Sequence, residues 1–499
     1  MNQKNSKSYR SILKATGVFG MMQVFRTLIS IISSKFVAVY LGPVGLGLVS
    51  LLNNAVNIIT AITNFEFLTI ATREVALATN SDDDTALSKT VVLLQKMAVF
   101  ISLFGALISL LFSKALSNFT FGTPEKQYWF YLLSFYFIIT SLSNARMAIL
   151  QGVNKIKTLA ICNITAAFFI AVGTIIIYYF LRIEGIIWVM LYSSVVLFGV
   201  TIYFTRQYSF KIAPFKFKEF YESSSPIFKL GFFMSINLIL GQFGNFLIKL
   251  YLNADGNSLQ ILGYYEVSTV ILINYLGLIF NAMSFDFFPK LSAISVDNDK
   301  VKQLVNHQIE MAIIIVTPAI ILMYLLAPII IKLFYTAEFS NSFLILKLGL
   351  FSVVLKAIVF PLGYIILVKG NRMLFFKQAL LGDVLNLILS IALYRYFGLL
   401  GLGLAAVFNL VFFGIYVYFV VSKHYDFEFF ATSKKLIITN LLLGIFAVLI
   451  IYSFQALYGY IFIALLFIIS VLYSLKELNH RINLKEFVQE KIDRKKTSI

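Results

Sequence analysis

The chain has 499 residues, of which 60% are hydrophobic and 13% charged, and its formal net charge is +18. So apolar a composition excludes a water-soluble domain, and the basic residues sit in short connections between long apolar stretches, which argues against a nucleic-acid-binding protein. The composition predicts an all-α, polytopic membrane protein whose partner is the lipid bilayer. The single cysteine, Cys162, lies in an apolar segment, so neither a disulfide framework nor a cysteine metal site is expected. His307, His424 and His480 stand in or beside polar connections without ligand spacing, and read as interfacial residues.

Fourteen apolar segments can be drawn, near 12–41, 46–78, 91–113, 127–150, 157–181, 185–205, 227–252, 260–289, 307–334, 343–368, 373–396, 399–421, 437–453 and 457–475. Each approaches or exceeds the ~20 residues that cross a hydrocarbon core. The polar, basic stretch Met1 to Arg10 leads into a segment too long for a signal peptide, so the first segment is expected to be retained as a transmembrane helix.

Arg26 stands in the middle of that first segment. A cation at mid-depth is expensive and marks a pathway by default. Gln23, Arg26, Ser30, Ser33 and Ser34 share one helical face, while Lys35 points elsewhere, and a tight turn follows at Gly42-Pro43-Val44-Gly45-Leu46-Gly47. The second segment carries Asn53, Asn57, Thr60 and Asn64 on one face. A cavity lining is expected there, against the alternative of hydrogen-bonded contact between helices. Glu66, Thr69 and Arg73 occupy its opposite side, and at Arg73 snorkelling or pairing with Glu74 competes with a substrate role. Arg146 lies near the inner end of the fourth segment, where an orientation signal is the competing reading. The seventh segment places Asn237, Gly241, Asn245 and Lys249 four residues apart, and the eighth aligns Glu266, Asn274, Gly277, Asn281 and Ser284. Lys356 lies at mid-depth in the tenth segment, five residues before Pro361.

Glu66, Glu266, Asp286 and Asp383 are intramembrane carboxylates. Each can carry a proton or Na⁺, or neutralise a nearby cation. Glu310 stands close to a membrane boundary, and Pro289, Pro318, Pro328 and Pro361 can act as hinges. Asp82-Asp83-Asp84 lies in a polar turn without further ligands and reads as a solvated loop. No nucleophile–base constellation, phosphate-binding glycine loop or zinc motif is present, so no enzyme, no catalytic residue, no cofactor and no metal site is expected.

With the N-terminus placed in the cytoplasm, only Lys114, Lys126 and Arg182 fall in outer connections, whereas basic residues crowd the inner ones. That asymmetry puts both termini in the cytoplasm. Two halves also resemble each other at an offset of 215 to 218 residues. Leu13-Lys14 recurs as Phe228-Lys229, Leu46-Gly47 as Leu262-Gly263, Tyr179-Phe180 as Tyr396-Phe397 and Tyr203-Phe204 as Tyr418-Phe419. Six segments separate equivalent positions, so the repeats run parallel about an axis along the membrane normal. The expected organisation is an N-terminal lobe at 1–210, a linker at 211–226, a C-terminal lobe at 227–422, two further helices at 423–475 and a basic tail at 476–499. Two such lobes suit alternating access, and a cavity lined by cations and amides suits an anionic, polyhydroxylated substrate such as a lipid-linked oligosaccharide.

Lys35 to Leu48 resembles the end of the first helix and the following turn in Wzx-type O-antigen flippases of the multidrug/oligosaccharidyl-lipid/polysaccharide exporter superfamily, in which a basic residue also stands at the position of Arg26. The resemblance continues through Thr72-Arg73-Glu74-Val75-Ala76, Leu150-Gln151-Gly152, Gly363 to Lys369 and Gly398 to Ala406. It implies a flippase carrying an undecaprenyl-pyrophosphate-linked repeat unit to the periplasmic leaflet of the bacterial inner membrane, driven by an ion gradient and working beside a polysaccharide polymerase complex. It also implies that Arg26, Lys35 and Arg73 hold the substrate, whereas Lys249 rests on its place in the seventh segment and Lys356 and Arg146 on depth alone. The last two helices depart from the twelve-helix form of these flippases. A lipid II flippase, a multidrug or cation exporter of the same superfamily, and a membrane polymerase or glycosyltransferase are the competing readings.

Overall fold

The structure, a computed structural model, describes residues 3–79, 85–206, 217–254, 258–454 and 456–482. Side chains are described from residue 28 onward, apart from scattered positions that include Asn237 and Asp286. The helices are α1 (Gln3–Asn64), α2 (Phe67–Thr79), α3 (Ala86–Leu111), α4 (Ser113–Phe121), α5 (Gln127–Gly152), α6 (Ile156–Leu181), α7 (Gly185–Thr205) and α8 (Phe217–Ala254). There follow α9 (Ser258–Thr269), α10 (Gly277–Ala293), α11 (Asn298–Phe334), α12 (Ser342–Val368), α13 (Arg372–Phe397), α14 (Leu399–Tyr425), α15 (Ala431–Ser453) and α16 (Ala456–Ile482). No strand occurs among the described residues.

Each of the fourteen expected segments coincides with a helix or with consecutive helices. Eleven stretches among the described residues are long and apolar enough to cross a membrane, so this is a multi-pass membrane protein. The number is lower than fourteen because Leu28–Asn64 and Lys157–Thr205 each hold two expected segments and α8 lies outside the eleven.

The breaks have local causes. At Gly42 (φ 61°, ψ −172°) the backbone leaves the helix in a conformation open to glycine, and Pro43 follows, so the first expected turn stands where the sequence puts it. The second expected segment is itself divided. Phe65 and Glu66 both take positive φ (47° and 51°) between α1 and α2, which costs non-glycine residues about 1–3 kcal/mol each. A π-helical turn, Val270–Tyr275, joins α9 to the residues before α10.

Two compact units are defined, one made of Met1–Gly263 with Phe334–Thr336 and the other of Tyr264–Leu333 with Ala337–Ile499. Helix α8, expected to open the second repeat, groups with the first unit and is helical from Phe217, inside the expected linker.

In the first unit, Leu52, Val56 and Ile59 of α1 share a core with Trp129, Phe130 and Leu133 of α5, Ile187 of α7 and Phe246 of α8. A second cluster joins Ala71 and Val75 of α2 to Leu94 and Met97 of α3 and to Ala148 and Ile149 of α5. Lipid is as apolar as these side chains, so close packing and internal hydrogen bonds rather than water exclusion hold them. Accordingly Ser109 donates to the carbonyl of Phe130 (2.6 Å), and Thr63 to that of Ile59 (2.9 Å).

In the second unit α11 is the central strut, with Val305, Ile309, Ile313, Ile320 and Tyr324 fully buried. Asp297 caps it by accepting from the amides of Asp299 and Lys300 (3.1 Å each), and the Lys300 ammonium 2.9 Å away holds its carboxyl below the usual carboxylate range. The last two helices are tied to the same strut. Glu310 accepts from Ser433 (2.7 Å) and Thr432 (3.1 Å) of α15 and pairs with Arg481 of α16 (2.9 Å), which also pairs with Glu477 (2.6 Å). Asn306 bonds the carbonyl of Glu428 and the amide of Phe430, both at 3.0 Å, so the α14–α15 connection is held to α11 as well.

Candidate functional site

Helix α1 turns opposite faces to opposite surroundings. Leu51, Leu52, Ala55, Val56 and Ile59 are buried, whereas Asn53 and Asn57 are exposed and Asn64 is half-buried. An amide facing hydrocarbon without a partner costs about 2–7 kcal/mol, so a row of them favours contact with water or with a polar ligand. Asn54, beside the row, is buried, and neither its Nδ2 nor the Oδ1 of Asn64 has a hydrogen-bond partner among the described residues.

The second unit shows the same chemistry. Asn274, inside the π-helical turn, and Asn281 of α10 are exposed, and Glu266 and Ser284 on the same face are half-buried. A π-turn advances a side chain out of helical register and recurs at functional positions. Asn57 and Asn64 are equivalent to Asn274 and Asn281 at an offset of 217, within the range of the internal repeat.

The expected cations have separate fates. Arg26 lies within α1, and its side chain is outside the described residues, as are those of Asn237 and Asp286. Lys35 is half-buried and donates to the carbonyl of Tyr335. Arg73 is exposed and pairs with Glu74 at 3.1 Å, the local pairing that the sequence left open. Arg146 donates to Thr205 Oγ1 of α7 (2.9 Å) and stands over the Phe198 ring at 5.7 Å, an arrangement that fastens α5 to α7. Lys249 is buried rather than sharing the exposure of Asn245, because the core residues Phe246 and Leu252 draw that side of α8 inward. Lys356 is half-buried on α12 with its ammonium 5.2 Å from the centre of the Phe280 ring, and it makes no ion pair among the described residues. The ring belongs to a stack in which Phe360 contacts Phe280, Phe287 and Tyr364.

Of the expected carboxylates, Glu66 accepts from Thr69 Oγ1 (2.9 Å) and so closes the first turn of α2, while Asp383 is half-buried on α13. The Asp82-Asp83-Asp84 run lies outside the described residues.

A small apolar hollow lies behind the α1–α2 break, lined by Asn64, Phe65, Met97, Ile101 and Phe228. It has no room even for a water molecule, so it does not hold a sugar chain. Helix α8 passes close beside the break: a Cβ on Gly231 would come within 2.3 Å of the Phe65 carbonyl oxygen. Only glycine lets α8 approach so near. The Thr72–Ala76 and Leu150–Gly152 stretches also meet, since a Cβ on Gly152 would lie 2.5 Å from Val75 and 2.8 Å from the Thr72 carbonyl oxygen.

These long apolar helices define a multi-pass, all-helical membrane fold among the described residues. Solved structures share that fold. A lipid II flippase, MurJ, in an inward closed conformation has a TM-score of 0.68 at 16% identity over 94% of this chain and 99% of its own. An inward-facing multidrug resistance MATE family transporter of the MOP superfamily has a TM-score of 0.67 at 14% identity, over 81% of this chain and 98% of its own. The chain belongs to the polysaccharide biosynthesis protein family, whose sequence pattern matches residues 55–344. A Shigella flexneri protein named "Putative O-antigen transporter" is 25% identical over 331 residues, covering 64% of this chain and 76% of that protein.

Proposed function

We propose that this protein is a flippase that carries an undecaprenyl-pyrophosphate-linked oligosaccharide, an O-antigen or related repeat unit, from the cytoplasmic to the periplasmic leaflet of the bacterial inner membrane. Transport runs by alternating access and is coupled to an ion gradient. Family membership supports the polysaccharide side of this reading, and the name of the Shigella relative supports the O-antigen side. The observation that carries it is the set of exposed amides, Asn53 and Asn57 on α1, Asn274 (the repeat partner of Asn57) and Asn281 (that of Asn64), in segments otherwise apolar.

Amides exchange hydrogen bonds with sugar hydroxyls. Arg26, placed at mid-depth by the sequence, and Lys356, unpaired among the described residues, supply positive charge for the pyrophosphate. The polyprenyl tail stays in the bilayer, which is why a transporter of so large a substrate needs no closed pocket for all of it. Glu66, Glu266, Asp286 and Asp383 are the candidates for ion coupling, with Glu66 the weakest because it already accepts from Thr69.

The test is complementation of a strain lacking its own lipid-linked-glycan flippase. Arg26→Ala is expected to abolish surface glycan at equal expression, and Arg26→Lys to retain part of it. Full activity of the alanine variant removes the mid-depth cation from the account. Rescue of a strain that lacks lipid II transport, without any rescue of surface glycan, assigns the substrate to cell-wall synthesis.

A further inference from the structure

Helices α6 and α13 each hold 26 residues and end alike, at an offset of 216. The residue after α13 is Gly398 (φ 56°, ψ −137°), whose amide donates to the carbonyl of Tyr394 (2.7 Å). The residue after α6 is Arg182 (φ 48°, ψ −128°), whose amide donates to the carbonyl of Tyr178. Glycine enters that region freely, whereas a Cβ is crowded there. One repeat therefore closes its helix with an arginine in a backbone conformation that suits glycine.

Nothing in the fold explains that choice. Nη1 of Arg182 donates to the Tyr40 carbonyl at 3.3 Å, a long hydrogen bond, and the guanidinium stands 5.6 Å from the centre of the Tyr40 ring. Its other N–H groups have no partner among the described residues, and the side chain is exposed. Glu184, two positions on, does not neutralise it, because that carboxylate accepts from Lys126 Nζ (3.1 Å) and from the Tyr128 hydroxyl. A cation does favour a helix C-terminus, but a basic residue in place of Leu181 gains the same without strain. Arg182 is also one of the three basic residues in the connections that the charge distribution assigns to the outside. Directly before it Tyr179, Phe180 and Leu181 are exposed and apolar, which suits the edge of the hydrocarbon, the level of the lipid phosphates.

We infer that Arg182 binds the phosphate of a lipid headgroup on that outer side, at a site separate from Arg26 and Lys356. The planar fork of a guanidinium matches phosphate oxygens in a bidentate manner, and the Tyr40 ring and carbonyl hold it in place while its free donors face outward. Strain retained at an exposed and unneutralised cation marks a residue kept for a ligand rather than for the fold.

The experiment uses the full-length protein carrying Arg26→Ala, so that the proposed central cation does not mask a second site. Binding is measured by native mass spectrometry in detergent with undecaprenyl diphosphate, with phosphatidylglycerol and with phosphate-free undecaprenol. Arg182→Gly is expected to weaken binding of a phosphate-bearing lipid about ten-fold or more, the factor for one charge-assisted hydrogen bond, and to leave undecaprenol unchanged. Without added lipid its melting temperature should hold or rise by a few degrees as the strain is relieved, and Arg182→Ala, which keeps the strain, should melt below it. A loss for undecaprenyl diphosphate alone assigns the site to the carrier lipid. A loss for phosphatidylglycerol, alone or as well, assigns it to the surrounding phospholipid. Unchanged binding of both overturns the inference, as does an equal loss for undecaprenol or a glycine variant that melts no higher than the alanine one. If the glycine variant fails to fold, Arg182→Gln decides, since it keeps the backbone strain and loses the charge. Unchanged binding of both phosphate-bearing lipids by that variant overturns the site. Transport enters none of these readouts, so failure of the flippase reading leaves them intact.

Discussion

Arg481→Leu tests how the last two helices are attached. The Glu310 side chain is 7% exposed and that of Arg481 20% exposed, so the pair is largely withdrawn from water. Breaking a buried pair by removing one partner costs about 3–5 kcal/mol, because the other charge stays buried. Two hydroxyls, Ser433 and Thr432, still donate to Oε1 of Glu310 after the substitution, and water reaches the partly exposed Arg481 site. The cost therefore falls at the low end, about 3 kcal/mol. Its effect is local: α16 and its contact with α15 loosen while the core around α11 holds. Ser470, 0% exposed on α16, is the reporter position. With Ser470→Cys on a Cys162→Ser background, thiol labelling in detergent should accelerate about 100-fold in Arg481→Leu, since each 1.4 kcal/mol is a factor of ten. Adding Glu310→Gln removes the stranded charge and keeps the hydroxyl contacts, so the double variant should recover most of the protection. Unchanged labelling in Arg481→Leu, or a double variant worse than the single one, refutes the reasoning.

Lys356→Met separates a transport cation from a packing one: a charge at mid-depth costs about 2.5–3.5 kcal/mol on insertion scales, while its contact with Phe280 returns only about 0.5–2 kcal/mol. Thermal stability in detergent should hold or rise while surface glycan falls about ten-fold, and a drop in stability with transport intact contradicts that role. Asn57→Leu and Asn274→Leu should each reduce transport and leave the melting temperature within a few degrees, since both side chains are exposed. A loss of folded protein instead marks them as contacts between helices. Gly231→Ala should lower stability by about 1–3 kcal/mol through the clash with the Phe65 carbonyl, read as a lower melting temperature, and an unchanged value shows that α8 can stand further off.

The helices were legible because every backbone group in hydrocarbon must be paired within its own helix, which makes a span a long apolar run that composition exposes. The break at Phe65–Glu66 was not legible. Neither residue is a glycine or a proline, and the left-handed pair stands where α8 lies against the Phe65 carbonyl through Gly231. The π-turn that displaces Asn274 leaves no mark in residue type, although the sequence aligned Asn274 with Asn281 and both are exposed. Depth and charge singled out Arg146 without showing Thr205, 59 positions along the chain, as its partner. Lys249 shares a four-residue spacing with Asn245 but not its surroundings, because burial is decided by what packs against a helix and spacing reports only the helix itself. Glu310 was visible as a boundary carboxylate, yet its pairing with Arg481 spans 171 positions and depends on how α16 docks. The repeat named Gly47 and Gly263 as equivalents, and only the folded chain shows each against the carbonyl of the other's segment.

The most direct test is transport in proteoliposomes holding only this protein and an undecaprenyl-diphosphate-linked oligosaccharide, with an ion gradient imposed. The fraction of sugar open to an impermeant periodate reagent is followed from the side opposite to loading. Exposure is expected to rise with protein and gradient together, and to stay at the empty-vesicle rate with Arg26→Ala. An oligosaccharide that crosses no faster than in empty vesicles, while a lipophilic cation is carried instead, contradicts the account.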